Sequence, residues 1–136
     1  MYEEDRKVAA LAHVALPEKL PEARTVSIKS FKLIGRYADT AVPELIKLLI
    51  SMGAKKSRMK AKLAGGSNMF GTKQLLGLGL NIGQRNVEAV TELLNLSNID
   101  IVSKDVLGNV SRTVSFEVET QIYSIKRGYE SNTKEI

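Results

Sequence analysis

The chain has 136 residues, with 20 Lys and Arg against 15 Asp and Glu for a formal net charge of +5. It has no cysteine, which excludes disulfides, zinc–thiolate sites and thiol chemistry supplied by these residues, and its few aromatics (5%) leave the core to aliphatic side chains. The length suits one domain; residues 1–7 are mostly charged with no apolar segment behind them, and no apolar run nears the roughly 20 residues of a bilayer span, so a cytoplasmic location without membrane insertion is expected.

Residues 7–16 place apolar side chains on both faces (Val8, Ala10, Ala12, Val14 and Leu16 against Ala9, Leu11, His13 and Ala15), the pattern of a strand buried on both sides. The stretch holds the only histidine. An imidazole changes charge near neutral pH, so His13 is either a proton-transfer group or a hydrogen-bonded core residue. Pro17 and Pro21 end the strand and open a polar loop over 22–32. Asp39 is placed to cap a helix running to about Met52, with Val42, Leu45, Ile46, Leu49 and Met52 as its buried stripe. Pro43 would fall in the first turn, and Gly53 just past the last.

Residues 58–64 alternate basic side chains with Met59, Ala61 and Leu63 and read as a strand with one wet face. Lys55, Lys56, Arg58, Lys60 and Lys62 form the one dense basic run, but no aromatics interleave it and acids balance the remaining cations, so a nucleic-acid partner is not expected. A glycine-rich stretch follows. It is no nucleotide loop: Gly77-x-Gly79 is followed by Ile82 where the dinucleotide fingerprint needs glycine, and no Gly-Lys-Ser/Thr occurs. The glycines therefore serve tight turns or close backbone approach. Asn68, Met69 and Phe70 on this loop are either a core plug or an exposed anchor for a partner.

Asn86 can cap a second helix whose buried face is Val87, Val90, Leu93 and Leu94. Residues 99–102 read as a short strand, 105–112 as a turn on Gly108 and Asn109, and 113–118 with 122–125 as a hairpin. Residues 127–136 are polar and expected to fray. This order predicts an α/β or α+β fold with a mixed sheet. One histidine and no cysteine leave only carboxylates as metal ligands; Asp39, Asp100 and Asp105 stand apart and read as caps and turns, so no metal or other cofactor is expected. No Gly-x-Ser-x-Gly elbow offers a serine to His13.

A set of ordered segments gives a resemblance over essentially the whole length. They are Ala12-His13-Val14 with Leu16-Pro17; Tyr37-Ala38-Asp39-Thr40-Ala41-Val42-Pro43; Ala61-Lys62; Gly65-Gly66 before Met69-Phe70; and Ile82-Gly83-Gln84-Arg85-Asn86-Val87-Glu88-Ala89-Val90. Asp105-Val106, Gly108-Asn109, Arg112-Thr113-Val114 and Glu119-Thr120 complete the set. The chain resembles the chemoreceptor glutamine deamidases, the CheD family.

The resemblance implies mixed β-sheets in a sandwich-like core flanked by two main helices, as in deamidating toxins, with the first strands missing. It implies one domain over 1–126 with a polar tail over 127–136. The implied activity is hydrolysis of glutamine side chains of methyl-accepting chemotaxis receptors to glutamate, with ammonia released. A cysteine is the family's nucleophile and a histidine, matched by His13, its general base. The family's cysteine lies in a Gly-Ser-Cys segment on the strand before the histidine, and residues 1–5 line up with the end of that strand. The nucleophile is therefore expected ahead of Met1, and the 136 residues alone are expected to be inactive. The alternative is an inactive relative that binds receptors or a CheC-type chemotaxis phosphatase, with Asn68, Met69 and Phe70 as the contact loop. Two departures fall in the turn after Asp105, where family glycines are replaced by Leu107 and Ser111.

Overall fold

The computed structural model describes residues 1–18, 34–68, 81–128 and 132–136. Helix α1 spans Ala38–Ser51 and buries Ala38, Ala41, Val42 and Leu49. It starts two residues earlier than a cap at Asp39 would allow. The N-cap is Tyr37, in extended conformation and without a side-chain capping bond, so Asp39 stands in the first turn, where its charge suits the helix dipole, and Pro43 falls inside the helix. Met52 is the C-cap and is exposed, which ends the buried stripe at Leu49; Gly53 follows at φ +90°, as its place past the helix end required. Helix α2 spans Ile82–Leu96. Its cap is Asn81, whose side chain accepts from the Gln84 N–H at 3.1 Å, so Asn86, read from the sequence as the cap, lies inside the helix instead.

The first sheet is mixed. Strands β1 (Tyr2–Glu3), β2 (Val8–Ala9), β3 (Lys60–Gly65) and β4 (Asp100–Val106) stand in the order β2-β1-β3-β4. β1 is antiparallel to both neighbours, and β3 and β4 are parallel, joined through α2. Val42 and Leu49 of α1 and Leu94 of α2 pack with Ala54, Met59, Ala61 and Ile99 to form the aliphatic core.

The second sheet is antiparallel, β5 (Arg112–Phe116), β6 (Tyr123–Arg127) and β7 (Thr133–Glu135) in that order. Rings join the two sheets: Tyr2 to Phe116 at 5.1 Å between centroids and Phe116 to Tyr123 at 6.3 Å. The described residues thus form two sheets with two helices, the mixed α/β class expected.

Four further readings of the strands are refined. Residues 7–16 do not form a strand buried on both sides: only Val8–Ala9 enter the ladder, at the sheet edge, and Leu11, His13 and Ala15 are exposed. Small alanines on both faces are compatible with a central strand but do not demand one. Beyond Ala10 the chain joins no strand; the Ala15 and Leu16 N–H groups donate to Arg36 O, at 2.8 and 3.0 Å, and Ala38 N donates to Leu16 O. The basic face of β3, half-exposed, is also paired. Lys60 Nζ pairs with Glu4, and Lys62 Nζ donates to Gln121 O and Ile136 O while lying over the Tyr2 ring.

The third change concerns β4, which runs on to Val106 and so carries Asp105 in the strand rather than in the turn. The fourth concerns the polar end. It does not fray throughout: Thr133–Glu135 pair with β6, with all three side chains exposed at the sheet edge.

Candidate active site

A cavity of about 580 Å³ opens between the two helices, β3 and the second sheet, and His13 lines it. The β1–β2 hairpin places the histidine. Met1 and Ala10 exchange backbone hydrogen bonds at 2.9 Å in both directions, which continues the ladder one pair past Tyr2↔Ala9 and aims residues 11–14 along the cavity wall. The imidazole is exposed and therefore accessible from solvent. The burial alternation turns Ala12 and Val14 partly inward and Leu11, His13 and Ala15 outward, so the reading of His13 as a buried core residue is set aside.

The opposite edge of the cavity is β3. Its pairing with β1 stops at Tyr2↔Lys60, so Lys62, Leu63, Ala64 and Gly65 turn an unpaired strand edge toward the space beside His13, among the described residues. Val42 and Leu45 of α1 and Val87 and Val90 of α2 make the apolar wall. Lys62, Arg112 and Tyr123 add polar groups, each already constrained: Lys62 by its two carbonyls, Arg112 by Asp105, and Tyr123 by burial, which raises its phenol pKa and keeps it neutral.

Asn86 sits on the flank of the apolar stripe of α2 and lines the same cavity. Its Oδ1 is buried and has no hydrogen-bond partner among the described residues. Leaving a carbonyl oxygen so costs about 1–3 kcal/mol. Sequence reasoning gave this residue a capping role; the signal it passed over was an amide interrupting the side of a helix that otherwise reads Val87, Val90, Leu93, Leu94.

Two glycines set how close α2 comes to this wall. A Cβ on Gly83 would collide with Gly66 O, and one on Gly66 would meet Gly83 O at 2.8 Å and Val87 Cγ2 at 2.5 Å. Backbone-on-backbone contact therefore fixes the first turn of α2 against the end of β3. Here the glycine stretch serves close approach, as expected. Of the proposed contact loop, Asn68 is held by its N–H donating to Gly108 O at 2.8 Å, beside the exposed Leu107 and Val110; Met69 and Phe70 lie outside the described residues.

Asp105 holds Arg112, one of the lining residues, from behind. Burial alone would raise its carboxyl pKa, but hydrogen bonds from Arg112 Nε and Arg127 Nη2, both 2.7 Å, and the two positive charges outweigh this and hold it below the usual carboxylate range. Glu3 of β1 follows the same logic. Burial raises it, while the Arg58 guanidinium at 2.8 Å and the Asp5 N–H bring it lower. No group of three or more His, Asp or Glu side chains that could hold a metal occurs among the described residues. No helix among them is long and apolar enough to cross a membrane.

The family model for CheD chemotactic sensory transduction matches residues 19–127. The chemoreceptor glutamine deamidase CheD of Bacillus subtilis is 41% identical over 131 residues, covering 94% of this chain and 75% of the relative. The protein of that name from Thermotoga maritima is 45% identical over 114 residues, 84% of this chain and 64% of the relative. A probable chemoreceptor glutamine deamidase CheD of Methanococcus maripaludis is 32% identical over 133 residues, 98% of this chain and 80% of the relative. With a family match over most of its length and identities of this order, the chain belongs to the CheD family.

Proposed function

We propose that this chain serves the reaction for which its relatives are named, hydrolysis of glutamine side-chain amides of chemoreceptors to glutamate in chemotaxis. The observation that carries the reading is His13, exposed at the wall of an open, largely apolar cavity that a glutamine side chain can enter. His13 acts as the general base. It takes the proton of a thiol, the thiolate attacks the carboxamide carbon, and the C–N bond breaks as the imidazolium returns the proton to the leaving ammonia. His13 then takes a proton from water, which attacks the thioester; the C–S bond breaks, releasing the glutamate side chain and the thiol.

No cysteine is among the 136 residues, so the thiol of this scheme comes from outside them. The β1 geometry supports a place for it. β1 is antiparallel to both β2 and β3, so chain preceding Met1 on the same line would run between residues 11–13 and the unpaired edge of β3, filling part of the cavity beside His13. A Gly-Ser-Cys segment there would bring its thiol to the imidazole. Receptors act at this site through their cytoplasmic part, which puts the protein in the cytoplasm. The resemblance adds a CheC-type phosphatase as a second partner, and the exposed Leu107 and Val110 beside Asn68 offer it an apolar contact.

The test is mass spectrometry of receptor cytoplasmic fragments incubated with a longer chain in which Gly-Ser-Cys precedes Met1. Conversion of specific glutamines to glutamate is the expected result. Fragments left unchanged by a folded chain carrying the thiol would overturn the reading.

A further inference from the structure

The rim of the cavity carries a charge imbalance that the mechanism above does not use. Val106 and Arg112 both line the cavity, so the turn between them, residues 107–111, stands at its edge with all five residues exposed. At the foot of this turn three cations meet one carboxylate: Arg112 and Arg127 at 2.7 Å from Asp105, and Lys134 at 4.0 Å. The carboxylate is the buried member, its side chain 1% exposed, whereas Arg127 and Lys134 are 43% and 61% exposed. The arrangement hides the negative charge and presents surplus positive charge to solvent. Among the described residues, the acids of the neighbouring strand and turn do not cancel it: Glu135 pairs with Ser124 on the other face of β7 from Lys134, and Glu119 is paired with Lys7. Beside the cations lie two exposed apolar side chains, Leu107 and Val110. Val110 abuts Gly128, where a Cβ would come within 3.0 Å of its Cγ1, and Arg112 Nη1 donates to Val110 O at 3.1 Å. The Leu107 N–H on Gly65 O and the Gly128 N–H on Ser111 O, both 2.8 Å, hold the turn in place, so it loses little freedom on binding.

We propose that this rim docks an acidic stretch of the receptor polypeptide next to the glutamine it presents, with carboxylates on Arg127 and Lys134 and an apolar side chain on Leu107 and Val110. The inference rests on the glutamine-hydrolysis reading above. Charge complementarity argues for that occupant: carboxylates are drawn to the surplus, a neutral segment gains nothing from it, and a basic one is repelled. Continuity argues for it as well. Val106, Arg112 and Gly65, to which Leu107 is bonded, line the same cavity as His13, so a polypeptide resting on the turn continues into the site. Because both cations are exposed, each charge pair is weak by itself, and the pair selects and steers rather than anchors. Arg127 and Lys134 are thus specificity-determining residues outside the chemistry, favouring glutamines in acidic surroundings.

The experiment titrates the ¹⁵N-labelled chain with two peptides of equal length, each holding one glutamine and one leucine, and follows backbone amide shifts. One peptide carries three glutamates beside the glutamine and the other three serines. At low salt the acidic peptide is expected to shift residues 107–111 together with those around His13, and to bind about tenfold more tightly than the serine peptide. The advantage should shrink to about twofold at about 0.3 M salt, as expected for exposed charges. Lys134→Gln, a change at an exposed side chain, should cut the advantage to about threefold, and Lys134→Gln with Arg127→Gln should abolish it without changing binding of the serine peptide. Val110→Ser should weaken both peptides alike. Equal binding of the two peptides to the wild-type chain, or an advantage that Lys134→Gln leaves whole, overturns the docking surface while leaving the glutamine reading intact. If the acidic peptide shifts residues 107–111 and nothing around His13, the glutamine reading falls and the substrate assignment with it. Self-association of the chain that Val110→Asp abolishes would give the surface to a second copy and overturn the proposal. Should Arg127→Gln not fold, since it removes a partner of Asp105, Lys134→Gln decides alone.

Discussion

Arg112 Nε meets Asp105 Oδ1 at 2.7 Å, and this contact ties the last turnward residues of β4 in the first sheet to the first residue of β5 in the second. Arg127, the residue paired with Arg112 across the β5–β6 ladder, takes the other carboxylate oxygen at the same distance. Asp105 is only 4% exposed and the Arg112 side chain only 7%. Removing the carboxylate leaves a guanidinium buried beside an empty place. Asp105→Ala is therefore expected to destabilise the fold by about 3 kcal/mol, read as a lowered urea midpoint; a loss within the range of an exposed ion pair, about 0.5 kcal/mol, would show that the clip between the sheets is idle.

The same group sets an acid dependence. Its folded-state pKa lies below its unfolded value, so its contribution is complete above the unfolded value of about 3.9 and is lost as pH falls through the depressed folded value. Glu3, lowered by Arg58, acts in the same direction. Stability should stay level with respect to these groups from neutrality to about pH 5 and fall below about pH 4. Asp105→Asn should flatten that acid limb, measured by urea unfolding across the range.

Gly83→Ala is expected to cost about 2 kcal/mol or more, because its Cβ would displace the Gly66 backbone and move α2 off β3. Gly53→Ala, where a Cβ meets nothing, should cost only the strain of its left-handed φ, about 1 kcal/mol. Thermal melting of the two variants separates contact from conformation.

Leu107 holds φ +66° in the turn after β4, a region that L side chains rarely adopt, and it stands where the resemblance calls for glycine. The N–H of this residue donates to Gly65 O at 2.8 Å, so the conformation is fixed by pairing rather than chosen by the side chain. Leu107→Gly should raise stability by about 0.5 kcal/mol as relief of strain exceeds the entropy of glycine, visible as a higher melting temperature.

Asn86→Leu tests what the unpartnered Oδ1 costs the fold. Replacing an unpartnered buried amide by an apolar group of similar size on an apolar wall should leave stability unchanged or raise it by about 1 kcal/mol. A large loss in the melting experiment would mean that Asn86 is a structural anchor.

The helices and the β5–β6 hairpin were legible because their burial is one-sided and local. Val42 and Leu49, or Val87, Val90 and Leu94, lie at helical spacing, and the outcome depends little on the rest of the chain. What escaped depends on partners far along the sequence. Asp105 looks like a turn residue beside Gly108 and Asn109 until Arg127, 22 residues away, closes on it. Residues 7–16 are apolar on both faces, yet nothing in that pattern says that only Val8–Ala9 join a ladder. Asn81 and Asn86 are equally good caps by residue type, and only the Gln84 N–H bond to Asn81 chooses between them. His13 was conspicuous as the sole histidine, but its accessible place on the cavity wall follows from the β1–β2 register.

The central claim is that His13 moves the protons of amide hydrolysis in this cavity. The most direct measurement compares receptor-glutamine conversion by the longer, thiol-bearing chain with its His13→Ala variant, each shown to be folded by circular dichroism. The account predicts a rate at least about a hundredfold lower in the variant, the usual worth of general acid–base catalysis. Conversion at a similar rate in both chains would contradict it.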